Sequence, residues 1–186
     1  MNLLFRMLRV LAASLFGPRL DPLDESVVRF RVLPNDLDAN LHMNNGRYLT
    51  LMDLGRVDLL LRAGVVRVML RRRWGGVVAS LTIRYRRPLG PFQRYELRTR
   101  LVGWDERWFF VEQRFTRRGE LMALALVKVQ FLGREGRVSP QEMAAAGPWT
   151  LEPPPLPQAV LDWQDAESRL QPQGSPRERQ YESAGS

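Results

Sequence analysis

The chain has 186 residues, 45% hydrophobic and 26% charged, which suits one soluble domain with a substantial core and excludes disorder throughout. Its net charge is +8, carried almost wholly by arginine because Lys128 is the only lysine. Zero cysteine excludes disulfides, thiolate metal sites and a cysteine nucleophile, and the single histidine, His42, excludes a multi-histidine metal site. The arginine surplus would attract any polyanion, whether nucleic acid, anionic membrane or phosphate-bearing cofactor, and equally would keep a surface soluble.

Residues 1–16 predict an amphipathic helix: at 100° per residue Leu3, Leu4, Met7, Leu8, Leu11 and Leu15 share one face, with Arg6 and Arg9 opposite. The segment is too short and too charged to span a bilayer. Three readings compete: docking on the body of the protein, lying in a membrane interface, or a cleaved export signal, the last weakened by the unsuitable Phe16-Gly17-Pro18. Residues 17–24, with two prolines and a glycine, read as a linker.

Ser26 to Leu33 alternates as a half-buried strand and Pro34 ends it. A polar stretch, Asn35 to Asn45, precedes an apolar segment from Tyr48 to Gly64. Asn44 or Asn45 serves as N-cap and Gly64 as C-cap, so a long helix is predicted there, with so little polar face that a sheet should enclose it. Four alternating strands follow as a meander: Val77 to Arg86, Arg94 to Val102, Arg107 to Arg117 and Leu121 to Leu132. This order is α+β, an antiparallel sheet of about five strands around one helix. Short helices are predicted at Gln141 to Ala146 and around Ala159 to Leu170, and residues 171–186, rich in Pro, Gly and Ser, read as disordered. The division expected is 1–24 helix and linker, 25–138 main domain, 139–170 extension and 171–186 tail.

The segment Asp36-Leu-Asp-Ala-Asn-Leu-His-Met-Asn-Asn45 places a polar side chain at every second position from Asp36 to Asn44. Were it extended, Asp36, Asp38, Asn40, His42 and Asn44 would share one side, facing the amino terminus of the long helix. Acyl transfer needs such a set: a carboxylate to attack or to activate water, a group to manage the proton, and amide donors for the oxyanion. The competing reading makes the aspartates Asx-turns and the asparagines mere caps. Asp53 is read as pairing with Arg56 rather than backing the site. Arg71-Arg-Arg73 is read as a solvated loop before a coenzyme A phosphate grip, and Trp104, Trp108, Phe109 and Phe110 as core or dimer contacts.

The stretch Arg31-Val-Leu-Pro-Asn-Asp-Leu-Asp-Ala-Asn-Leu-His-Met-Asn-Asn-Gly-Arg-Tyr-Leu49 resembles the signature of hotdog-fold acyl-CoA thioesterases, in particular the thioesterase-superfamily-member-6-like branch. The likeness continues in Arg86-Arg-Pro-Leu89, Leu97-Arg-Thr-Arg-Leu-Val-Gly-Trp-Asp105 and Leu151-Glu-Pro-Pro-Pro-Leu-Pro157, covering roughly residues 30–170. The resemblance implies a hotdog fold and a homodimer or higher homo-oligomer with acyl-CoA sites where subunits meet. No cofactor and no metal are expected. Hydroxybenzoyl-CoA-type relatives would put the essential aspartate at Asp36, while plant acyl-carrier-protein thioesterases would put the reactive set at Asp38, Asn40 and His42. The second is favoured because this chain keeps the Asn and His, although the cysteine of the plant enzymes has no counterpart. Asn44, Asn45, Gly46, Arg47 and Tyr48 are then the substrate-binding positions, with amides near Asn45 to Arg47 polarising the thioester carbonyl.

The function expected is acyl-CoA hydrolysis in the cytoplasm, with residues 1–16 as a peripheral membrane contact in one reading. The alternative is an acyl-CoA or lipid binder without turnover. A nucleic-acid-binding module is disfavoured because the aromatics lie in apolar-patterned strands.

Overall fold

A computed structural model describes residues 2–150 and 152–170; the tail expected to be disordered, 171–186, lies outside them. The described residues fall into two compact units, divided between Pro155 and Leu156.

The first unit begins with α1 (Asn2–Phe16). It continues with β1 (Ser26–Arg31), a 3-10 turn at Pro34–Asp36, α2 (Asn45–Arg62) and α3 (Val65–Arg72). Strands β2 (Gly75–Tyr85), β3 (Arg94–Trp104), β4 (Phe109–Arg117), β5 (Glu120–Gly133) and β6 (Gly136–Val138) follow, then α4 (Pro140–Ala146). The strands form one antiparallel sheet ordered β1-β3-β4-β5-β2, with β6 paired to β5. Its concave face takes α2, which buries Tyr48, Leu51, Met52, Leu54 and Leu59. The second unit holds α5 (Gln158–Arg169), stapled along its exposed face by Gln158 to Asp162 and Arg169 to Asp165.

Close approach of α2 to the sheet depends on Gly55. A Cβ there would lie 2.6 Å from Thr99 Oγ1 and 2.8 Å from Leu97 Cδ2, inside van der Waals contact. The same crossing is tied by the fully buried Gln113, whose amide donates to the Met52 carbonyl (2.9 Å) and to Thr99 Oγ1 (2.9 Å) while its oxygen accepts from Arg56 (2.7 Å). Burial leaves no unpaired polar atom on this amide, so the helix register is fixed by hydrogen bonds as well as by shape.

The sheet wraps the long helix as expected, and α1 packs on it as well, leaving Leu49 37% exposed and Asp53 exposed, paired with Arg56 as expected. One expectation is corrected. Arg71 and Arg72 are not loop residues but the last turn of α3, an additional helix whose buried Val65 and Val68 pack into a second core with Phe131, Val138 and Met143. Its eight residues are too few to separate, by periodicity alone, from the strand that follows.

Of the three readings of residues 1–16, docking on the body is the one the structure bears out, and α1 docks by the face opposite its leucines: Arg6, Val10 and Ser14, one helical turn apart, are 6%, 2% and 5% exposed. Ser14 Oγ donates to Asp58 Oδ1 at 2.6 Å, and Ser26 Oγ takes the other oxygen at 2.5 Å. Leu4, Leu8 and Leu15 face outward.

Candidate active site

The polar segment ahead of α2 is not extended. Pro34 starts the 3-10 turn, and the chain doubles back through an antiparallel bridge between Leu37 and Met43. Asp38 closes the loop: its Oδ1 accepts the amides of Asn40 (2.9 Å) and His42 (3.2 Å), and its own amide donates to the His42 carbonyl (2.8 Å). Leu41 occupies the tip with φ +57°, a left-handed conformation that costs a branched side chain energy and that the surrounding hydrogen bonds hold in place. Met43 anchors the loop by donating to the Leu89 carbonyl at 2.8 Å.

This fold-back separates residues that alternation would have gathered. Asp36 is fully buried, Asp38 is half-buried, and Asn40, Leu41 and His42 are exposed at the rim. The Asp36 carboxylate is saturated: Arg6 Nη1 donates to Oδ1 (3.1 Å), Arg6 Nη2 to Oδ2 (2.6 Å) and the Leu33 amide to Oδ2 (2.8 Å), and Arg47 Nε stands 3.3 Å from Oδ1. This two-pronged guanidinium-carboxylate pair, removed from water, has its hydrogen-bonding capacity met on both sides.

Asn44 is the N-cap of α2, its Oδ1 accepting the Gly46 amide at 2.8 Å, while its carbonyl accepts the Arg47 amide at 2.9 Å. Of the three amides expected to polarise a carbonyl, Gly46 and Arg47 are therefore already engaged. Asn45 opens the helix at its positive pole, and its carbonyl accepts from the Tyr85 hydroxyl (3.2 Å) at the end of β2. Tyr48 belongs to the core rather than to a binding surface: it is 2% exposed and packs edge-on against Tyr85 and Phe115. Burial pushes its phenol up to about 12 against a hydrogen bond with the Leu89 backbone. Arg47 likewise turns back toward Asp36.

Sequence reasoning missed two contributors. Arg6 carries a signal, a lone cation on the same stripe as Val10 and Ser14, but nothing local names its partner thirty positions away. Tyr95 sits in the core beside this ion pair with its hydroxyl unbonded; burial pushes its phenol up, with Arg6 opposing and Asp36 adding to the shift.

Cavities lie elsewhere on the chain. One, small at about 80 Å³ and apolar, lies between the last turns of α2 and the sheet, near Leu59, Trp104 and Met143. A basic groove crosses β1, β3 and β4.

A family model described as the thioesterase-like superfamily matches residues 32–164, more than half of the chain. The chain belongs to this superfamily. Among curated relatives, Protein THEM6 of Xenopus laevis is 37% identical over 134 residues, 71% of this chain and 63% of the relative. Protein THEM6 of Danio rerio is 43% identical over 104 residues, 56% of this chain and 52% of the relative. The chain thus spans between half and two thirds of these relatives' length. Among solved structures, the probable thioesterase YbaW of Escherichia coli superposes with a TM-score of 0.61 at 22% identity, covering 64% of this chain and 94% of that one. The fold of this superfamily member is accordingly the hotdog fold, the wrapped antiparallel sheet expected from its motifs.

Proposed function

We propose that the protein hydrolyses an acyl-CoA thioester, acting in the cytoplasm as a homodimer or higher homo-oligomer, with α1 in peripheral contact with a membrane. The observation that carries the reaction is the fold-back at Leu37 and Met43, which keeps one carboxylate, Asp38, within reach of solvent between Asn40 and His42 while Asp36 is neutralised behind it. Asp38 takes a proton from water as the water oxygen attacks the thioester carbonyl carbon. Asn40 and His42 position water and substrate, and the Asn45 amide, at the positive pole of α2, faces the oxyanion. Collapse of the tetrahedral intermediate breaks the C–S bond, and the departing thiolate takes the proton held by Asp38 to become coenzyme A, leaving the free acid and regenerating the carboxylate.

A second copy supplies the missing wall. Strand β2 is a sheet edge with Val77 and Val78 45% and 38% exposed, and unpaired edges of this kind recruit another strand. Because Tyr85, the last residue of β2, touches Asn45, a partner paired along β2 stands beside the loop. Thiol release from short, long and aromatic acyl-CoA substrates tests the reading. Asp38→Asn should lower kcat at least about 100-fold with an unchanged unfolding midpoint; full activity in Asp38→Asn with loss in Asp36→Asn would transfer the role to Asp36.

One observation favours a second reading, binding without turnover: both oxygens of Asp36 are occupied, and Asp38 Oδ1 already accepts two backbone amides. Retained acyl-CoA binding with no thiol release across the panel would establish it.

A further inference from the structure

Burying the arginine of an amphipathic helix and exposing its leucines reverses the usual orientation. On α1, Leu4, Phe5, Leu8, Leu15 and Phe16 are 54–91% exposed, an apolar ridge of the kind that marks a contact surface. Arg9 stands on the flank of this ridge, over the Phe30 ring and donating to the Arg29 carbonyl, and it also lines the basic groove. Ridge and groove are therefore parts of one surface.

The groove, about 1090 Å³, is lined by eight arginines against a single glutamate. Glu96 is taken by Arg29 and Arg98, and nearby Glu25 by Arg98 and Arg114. Arg31, Arg94, Arg117 and Arg118 have no carboxylate partner among the described residues. The β1–β3 register also sets Arg31 directly opposite Arg94, and like charges across a ladder are unfavourable unless an anion lies between them. Folding has gathered cations here that the described residues leave uncompensated.

We propose that this surface docks on an anionic phospholipid bilayer, the α1 ridge entering the acyl region and the arginine groove receiving headgroup phosphates. The inference rests on the peripheral contact of α1 and names its partner. A soluble anion would satisfy the groove but leave the ridge in water, whereas a bilayer surface covers both. Apolar insertion and basic attraction together give the stable attachment that neither gives alone.

Co-sedimentation of the full chain with vesicles of phosphatidylcholine, alone or with a third phosphatidylglycerol, tests it. The expected result is binding to the mixed vesicles only, weakened by salt. The triple variant Arg94→Gln, Arg117→Gln, Arg118→Gln, altered only at groove positions outside the core, should bind roughly 100-fold more weakly, with thermal unfolding and thiol release unchanged. Phe5→Ser with Leu8→Ser should abolish binding. Equal binding to neutral vesicles, insensitive to the arginine substitutions, would overturn the headgroup site while leaving the peripheral contact standing. No binding to either vesicle would overturn both, and a dimer dissociated by the α1 substitutions would then identify a second copy as the cover. Release of bound protein by coenzyme A would also overturn it, assigning the groove to a soluble phosphate ligand.

Discussion

Arg6 grips both carboxylate oxygens of Asp36 from the first turns of α1, so a helix outside the region matched by the family model neutralises one of the two acids that the polar loop offers for acyl transfer. Arg6→Ala would strand a fully buried carboxylate with only the Arg47 and Leu33 contacts. The cost should be about 3 kcal/mol of folding stability, measured by denaturant unfolding. The double variant Arg6→Ala, Asp36→Ala should recover part of that loss, because it leaves no unpaired charge inside.

His42 is exposed and only its backbone holds the loop. His42→Ala should therefore leave the unfolding midpoint within about 0.5 kcal/mol of the parent, yet reduce thiol release at least about 100-fold if it positions the reacting groups. Equal turnover in the variant would remove His42 from the reaction.

Gly55 permits the contact between α2 and the sheet. Gly55→Ala, which raises helix propensity on an exposed surface, should here destabilise by about 1–3 kcal/mol because Thr99 and Leu97 must give way. Thermal unfolding decides the sign.

Glu25 bridges Arg98 and Arg114. Partial burial pushes its carboxyl up, but the hydrogen bonds and charges of the two guanidiniums outweigh burial and hold it below the ordinary 4.5. The folded state thus binds this proton less tightly than the unfolded state, and the resulting stabilisation is present at neutral pH and lost as pH falls through the lowered value. Glu25→Gln should unfold at a lower temperature than the parent at pH 7, with the difference shrinking as the pH falls below the ordinary 4.5 and vanishing once it lies below the lowered folded value.

Local patterning made the sheet legible: the alternation at Tyr95, Leu97 and Thr99 and the Arg118-Gly119 turn, where both residues have positive φ, correspond to β3 and to the β4–β5 hairpin. Asn44 could be read as a cap because capping is a short-range preference. What sequence could not reveal was long-range. The period-two spacing from Asp36 to Asn44 suggested one shared face, but Asp38 hydrogen-bonds its own loop, and so the segment folds back instead of running straight. The leucine periodicity of α1 predicted a helix but not its orientation, which was decided by Asp36 and Asp58 lying in the body.

The Arg6–Asp36 pair also bears on how the protein can be shortened. A fragment trimmed to residues 32–164 would lose the outer strand beside β3 and the Arg6 side chain, the only one among the described residues that grips both Asp36 oxygens. Failure of such a fragment to fold or to turn over would reflect the amputation, and assays of this chain need its amino-terminal segment attached.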